Sequence, residues 1–355
     1  MSKDTSIEIG SETGSGPGNG AQGTTPNAPT TLITGASQGL GKFLAQSFWK
    51  NGYSLILVAR DTDALRKLQV ELLDTPIDTP INTANAESKH QEIHIYSCDL
   101  AKESGVDQLI KNLYLNHKSI EVLINNAAIQ GPMGTSQHIW EDCPDAYRET
   151  IQVNLLAPIE LCSRLVPLLT KTSTSRINQD ALANLSNLSG GSIINLSGGG
   201  ATGPRANFSA YATAKAGLVR FSETLAEELS SSGVRVNCIA PGAMKTAMTT
   251  QVEAMGRECV GDKEFAGAQR VLAEGGTSME RVAELALFLA GSDSKGITGK
   301  LISAVWDNWR ALLGPSSDAT HSLEAANKIQ ELSKSDVYTL RRIGGRDRGM
   351  PWADH

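Results

Sequence analysis

Thr31-Leu32-Ile33-Thr34-Gly35-Ala36-Ser37-Gln38-Gly39-Leu40-Gly41 is an apolar, β-branched run that ends in three closely spaced glycines and leads into a helix-period pattern over residues 40–51. Glycine is needed where a chain turns sharply, where backbone approaches an anion, and where a helix packs against a strand. The unpaired N–H groups and the dipole of the helix that follows favour negative charge. Glycine turns also serve purely structural ends, so the cluster alone is weak. Its position at the first strand-to-helix junction of an alternating chain makes it a dinucleotide cradle. Gly35, Ser37, Gln38, Gly39, Leu40 and Gly41 are its candidate residues.

Working outward, strand-like runs recur at Ser54–Ala59, Glu92–Ser97, Val122–Asn125, Ser192–Leu196, Arg235–Ala240 and Lys300–Val305. Helical patterns near 62–73, 103–117, 144–170, 209–232 and 278–291 separate them. Strands spaced by helices of this length imply right-handed crossovers and a parallel sheet covered on both faces. The expected fold is α/β: a Rossmann-like, doubly wound parallel sheet of seven strands in a three-layer α/β/α domain over residues 30–308.

The 355 residues carry 32 Lys+Arg against 38 Asp+Glu, a formal charge of -6, which offers no broad cationic field for nucleic acid or anionic lipid. No apolar run reaches the length of a membrane helix. Gly, Pro, Ser and Thr supply 17 of residues 1–29, so that segment reads as a disordered tail without the apolar core of a signal peptide. Polar insertions at 74–90 and 171–191 read as surface loops. The five cysteines form no CxxC pair, and the six histidines show no ligand spacing, so reduced thiols, a cytoplasmic location and no metal are expected.

Ligands of open α/β sheets bind at the carboxyl ends of the strands, and chemistry-bearing residues gather there. The second strand ends Val58-Ala59-Arg60-Asp61. An acid at that tip would hold the ribose of NAD, whereas Arg suits a 2′-phosphate. Arg60 therefore points to NADP(H), with NAD(H) left open, and Asp61 reads as the cap of the next helix. Later tips carry Cys98-Asp99-Leu100, Asn125-Asn126-Ala127-Ala128, Asn195-Leu196-Ser197 and Pro241-Gly242-Ala243-Met244-Lys245-Thr246. Tyr211 and Lys215 lie four apart on one helical face, where an ammonium would lower the phenol's pKa and equip it for proton transfer.

In this order the motifs resemble the short-chain dehydrogenase/reductase family, in its compact single-domain branch, over about residues 30–305. The resemblance implies that Tyr211 is the general acid or base and that Lys215 binds the nicotinamide ribose. It implies that Asn154 holds a proton-relay water, that Asp99 and Leu100 flank the adenine, and that Asn126 lies along the cofactor. Met244 and Thr246 would meet the nicotinamide end. The family's substrate-orienting Ser falls thirteen residues before the Tyr, where this chain has Gly198. Either Ser197 takes that role or the hydroxyl is missing, and the expectation here is Ser197.

The implied activity is hydride transfer between NADP(H) and a carbonyl or secondary alcohol of a small organic substrate. Subunits would pair as a homodimer or homotetramer through helices 144–170 and 209–232, with a mobile lid over Thr246–Thr277. A cofactor-binding sensor with little turnover and a sugar-nucleotide epimerase or dehydratase are the rival readings. The C-terminal extension, 309–355, carries a helix near Leu323–Leu332 and a basic stretch from Arg341 to Arg348. Trp306 and Trp309 at its root read as a substrate wall, a subunit contact or a plug on the sheet edge.

Overall fold

The structure, a computed structural model, describes residues 28–75, 90–170, 190–312 and 319–340. Most of the expected tail, most of both polar insertions, and the basic stretch lie outside the described residues. The strands are β1 (Thr30–Thr34), β2 (Ser54–Ala59), β3 (Ile93–Ser97), β4 (Val122–Asn125), β5 (Ser192–Leu196), β6 (Arg235–Ala240) and β7 (Lys300–Ser303). They form one parallel sheet in the order β3-β2-β1-β4-β5-β6-β7. The order reverses between β1 and β4, which opens a crevice at their carboxyl ends.

Helices α1 (Gly39–Lys50), α2 (Thr62–Leu73) and α3 (Glu103–Asn116) follow the first three strands. Alternate residues of each strand serve opposite layers, which is why the strands read as continuous apolar runs. Ile33, Leu55, Leu57, Ile124 and Ile194 pack with α1 and α2. Leu32, Ile56, Val58, Leu123 and Ile193 pack with α3 on the other face. All ten are fully buried, and each such side chain contributes roughly 1.5–3 kcal/mol. As expected, Asp61 caps α2, its Oδ1 accepting from Ala64 N at 2.9 Å.

The pattern over 144–170 is not one helix. After a separate α4 (Ser136–Asp142), it runs α5 (Pro144–Ile151), a π-helical turn over Gln152–Leu156, α6 (Ala157–Arg164) and α7 (Val166–Thr170). Pro158 has no N–H to offer the carbonyl of Asn154, and Ala157 N instead reaches Gln152 O, one residue further back than in an α-helix. Such π turns recur at functional sites. α8 (Ser209–Glu228) crosses behind β5 and β6.

Residues 246–277, rich in small and polar residues and expected as a mobile lid, hold α9 (Ala247–Ala254), α10 (Arg257–Val260) and α11 (Asp262–Glu274). Their apolar side chains Val252, Val260 and Ala268 close on Met133 and Phe208. α12 (Met279–Ala290) then packs beside α1. β7 ends two residues early, because Asp307 Oδ2 accepts from Ser303 N at 2.6 Å and Ser303 Oγ accepts from Val305 N and Trp306 N. These local bonds turn the chain out of the ladder.

α13 (Ala319–Lys334) brings Ile329 and Leu332 into the core layer that holds α1 and α12. The two tryptophans separate: Trp306 is 86% exposed, and Trp309 is buried and stacked on Phe288 with centroids 6.1 Å apart. Trp309 is thus the plug among the three expected roles. Truncating a buried aromatic costs about 3–5 kcal/mol. Trp309→Ala should lower the denaturation midpoint accordingly, and Trp306→Ala should leave it nearly unchanged, as read by chemical unfolding followed by circular dichroism.

Candidate active site

The β1–α1 turn is shaped by three glycines for three different reasons. Gly35 sits at φ +67°, and a Cβ there would stand 2.8 Å from Ala127 Cα. A Cβ on Gly41 would stand 2.1 Å from Gly35 O, so the helix can approach its own entry turn only without a side chain. Gly39 has φ +54° and open space above it, which leaves a concavity that a side chain would fill. The N-cap Gln38 makes no side-chain capping bond, and no acid stands in the first turn of α1. Those N–H groups therefore remain for an anionic ligand, and the residues fit a dinucleotide pyrophosphate.

This turn is one wall of a cleft of about 640 Å³ along the carboxyl ends of the strands. Ser37, Gln38, Gly39 and Leu40 line it at the first strand, and Arg60 at the second. Asp99, Leu100 and Asn126 follow, then Ser197, Tyr211 and Lys215, then Met244 and Thr246. Of the candidate residues only Asn154 stays off the wall, behind its neighbour Val153. Arg60 is exposed, and among the described residues no ion pair engages its guanidinium. Asp61, occupied by its helix cap, does not compete at this end of the cleft.

Two amides hold the β4 tip. Asn126 Nδ2 donates to Thr34 O at 2.9 Å and Gly35 O at 3.2 Å, while Thr34 Oγ1 accepts from Asn126 N and Ala127 N, both at 3.1 Å. Asn154, fully buried in the π turn, grips the loop beyond: its Nδ2 donates to Ile129 O at 2.8 Å and its Oδ1 accepts from Ile129 N at 2.9 Å. The side chain of Asn154 is thus a loop clamp.

Lys215 is 2% exposed, and its Nζ donates to Leu196 O at 2.7 Å. Burial pushes its pKa down to about 8, partly offset by the Cys238 thiol beneath it. Tyr211 lies within reach, with Lys215 Nζ 5.8 Å from the ring centroid. The phenol departs from expectation. Burial raises its pKa above the ordinary tyrosine value, opposed in part by the charge of Arg205. Lys215 is turned toward a carbonyl, and removal from water outweighs the cation.

At the thirteenth residue before Tyr211, a Cβ on Gly198 would lie 2.4 Å from the phenol oxygen. Position 198 is therefore the one that faces the tyrosine. Ser197 is 4% exposed and lines the same cleft, with its hydroxyl lacking a hydrogen-bond partner among the described residues. Two residues escaped the sequence reading. Gln130 lines the cleft with its buried Nε2 unpartnered; its signal was adjacency to the Asn125–Ala128 motif. Arg205 stands alone as a charge in the small-residue stretch before α8.

Comparison with known proteins agrees with this geometry. The family model described as short chain dehydrogenase matches residues 29–256. The 3-oxoacyl-(acyl-carrier-protein) reductase of Chlamydia trachomatis serovar D is 28% identical over 279 residues, covering 77% of this chain and 94% of that protein. The human dehydrogenase/reductase SDR family member 4 is 24% identical over 271 residues, covering 76% and 84%. A short chain dehydrogenase from Escherichia coli complexed with NADPH superposes with a TM-score of 0.59 at 25% identity, over 79% of this chain and 98% of that one. With more than half of the chain matched by the family model, it belongs to the short-chain dehydrogenase/reductase family and is an oxidoreductase of CH–OH groups that works with NAD(P).

Proposed function

We propose that the protein is an NADP(H)-dependent oxidoreductase that interconverts a carbonyl and a secondary alcohol on a small organic substrate, with Tyr211 as the proton-transferring residue. The observation that supports the reading is that Tyr211, Lys215 and Ser197 line the same cleft as the glycine cradle. When bound, the nicotinamide cofactor supplies or accepts the hydride; the protein orients the reactants and handles the proton.

In the reduction direction Tyr211 donates its phenolic proton to the substrate oxygen. Its raised pKa keeps that proton in place at neutral pH. Lys215 holds the nicotinamide ribose, and its charge is present below about pH 8 in the free protein. The unpartnered Ser197 hydroxyl would bond the substrate oxygen, and Asn154 would place a relay water from its backbone in the π turn. Arg60 pairs with the 2′-phosphate of NADP(H), a reading supported by its exposed, unpaired guanidinium on the cleft wall. Asp99 and Leu100 would flank the adenine, and Met244 and Thr246 the nicotinamide. A cytoplasmic location and a homo-oligomer formed through α5–α8 complete the proposal. Exposed Leu156, on the π turn of that helical run, supports the oligomer.

Gly198, facing Tyr211 without a hydroxyl, favours the rival of a cofactor-binding sensor, and kinetics separate the two. Tyr211→Phe should lower kcat/KM for carbonyl reduction by about 10²–10⁴-fold while leaving NADP(H) affinity nearly unchanged. Full activity in that variant would remove Tyr211 from the reaction. Absence of turnover by the wild type across a broad carbonyl panel, with tight cofactor binding, would favour the sensor. Arg60→Ala should weaken NADP(H) binding by about 10–100-fold, the worth of a charge-assisted hydrogen bond, with NAD(H) affinity unaffected. Equal losses for both cofactors, measured by titration calorimetry, would show that Arg60 does not read the phosphate.

A further inference from the structure

The cleft changes character along its length. Four of the side chains that line it carry charge: Arg60, Asp61, Asp99 and Lys215. The first three stand just past the ends of β2 and β3, on the far side of the sheet from β5 and β6. Lys215 directs its ammonium to Leu196 O at 2.7 Å. From the loop after β4 to α9 the lining includes Gln130, Val153, Ser197, Met244, Met248 and Gln251, all uncharged. Arg205, whose Cζ lies 5.7 Å from the Tyr211 ring centroid, is ion-paired with Glu264 at 2.8 Å. A ligand at this end therefore meets amides, hydroxyls and thioethers, and no unpaired cation lines it among the described residues.

Gln130 is the polar group here that the proton chemistry does not use. It is 4% exposed, and its Nε2 lacks a hydrogen-bond partner among the described residues. The loop around it is fixed on both sides. Before it, the N–H and carbonyl of Ile129 are clamped by the Asn154 amide at 2.9 and 2.8 Å. After it, Gly131 sits at φ +71°, where a Cβ would stand 2.2 Å from Thr150 Oγ1, and Thr150 is itself held to Ala146 O at 2.7 Å. Further along, Met133 O accepts from Cys259 Sγ at 3.2 Å, and Gly134 N donates to Asn207 O at 2.9 Å. A loop tied at four residues does not swing its amide out to water, and a buried donor left unpaired is costly. Ser197 Oγ, the other buried unpartnered atom of the cleft lining, is the group proposed for the reacting oxygen. Gln130 is left for a different ligand atom.

We propose that Gln130 is a specificity-determining residue whose Nε2 donates to a second oxygen of the substrate, and that the substrate class is an uncharged carbonyl compound with another carbonyl oxygen near the one reduced, such as a keto ester. This rests on the cleft being a site of carbonyl reduction. An amide N–H suits a neutral acceptor oxygen. A carboxylate removed from water needs a charged partner, and this end has no unpaired one. A site built to bond a ligand oxygen rejects the analogue that lacks it, because its own buried donor is then unpaired. The same wall thus discriminates in two directions, against plain ketones and against keto acids.

The probes are ethyl acetoacetate, 2-heptanone, which matches its chain length without the ester oxygens, and acetoacetate, which carries a carboxylate. Each is titrated by calorimetry into the NADPH complex of full-length Tyr211→Phe, so that binding is read without turnover. Ethyl acetoacetate should bind about 10–100-fold more tightly than either of the others. Adding Gln130→Leu, or the isosteric Gln130→Glu, which replaces the donor by an acceptor, should bring ester and 2-heptanone to within a few-fold. NADPH affinity should hold in both. In turnover the ester is also the more electrophilic ketone, so the reading is the change on substitution. The ester to 2-heptanone ratio of kcat/KM should fall by about 10–100-fold in each Gln130 variant, with KM moving more than kcat.

Equal affinity for ester and 2-heptanone in the Tyr211→Phe complex, or binding of neither, overturns the proposal. A preference for acetoacetate overturns the uncharged class. A Gln130 that only fills space leaves the ester preference intact in Gln130→Glu, and one that holds the nicotinamide lowers NADPH affinity with the ratio unmoved; either result overturns the assignment. If Gln130→Leu does not fold, the three ligands on Tyr211→Phe and the Gln130→Glu variant still decide it. Ester preference in binding with no turnover by the wild type would sink the proposed activity and leave the ligand class standing. Turnover of all three compounds without preference would sink only the part given to Gln130.

Discussion

The joint between β1 and β4 sets the terms for everything around the cleft. Gly35 passes so close to Ala127 that a single added carbon would collide, and the approach is locked by Thr34 and the Asn126 amide. Buried polar groups must be paired or they cost about 1–3 kcal/mol each, and here the pairing is reciprocal between two strand tips. Because Asn126 holds the β1 turn, α1 starts in one place. Because the β4 loop leaves from the same joint, Ile129 arrives where Asn154 can clamp it. The π turn that carries Asn154 is thereby tied to the cradle through one continuous path of backbone and amides.

A second path runs beneath it. Asn125 Nδ2 donates to Asn195 Oδ1 at 2.8 Å and reaches Cys162, and Asn195 Nδ2 donates to Ser222 Oγ at 2.8 Å. This network ties β4, β5, α6 and α8 together below the floor of the cleft. Leu196, the next residue of β5, takes the ammonium of Lys215. Ser197 thus follows a strand end, and Tyr211 and Lys215 ride a helix, that this network cross-braces underneath. Such bracing is what proximity and orientation require of a scaffold.

The sheet was legible because its signal is local and repeated: seven short apolar runs, separated by six helix-period patterns, fixed both number and direction. The cradle was legible because only glycine meets its three demands. What escaped lies in interactions that no window of sequence contains. The break at Gln152–Leu156 follows from Pro158, yet the apolar periodicity runs straight through it. Residues 246–277 form helices because Val252, Val260 and Ala268 find Phe208 and Met133 from distant segments. Tyr211 and Lys215 lie four apart on one face of α8. Spacing could show that the two share a face, but not that Nζ would turn to Leu196 O.

The two sheet edges are finished differently, and this explains the chain that runs on past the last strand. An open strand edge presents unpaired N–H and C=O groups that invite pairing with another chain. β3 is short, and its residues are only partly buried. β7 has a cover of its own. Leu301 N donates to Tyr338 O at 2.7 Å, and Lys300 Nζ reaches Ser335 O at 2.5 Å. The same segment is fastened to α8 at its end, where Arg220 and Glu223 bond the carbonyl and the N–H of Leu340. Ile329 and Leu332 supply the apolar contact that holds α13 in place, beside Trp309. The residues after β7 thus complete the sheet in cis, and the edge strand they cover is the direct neighbour of β6, whose end leads into Met244 and Thr246 on the cleft wall.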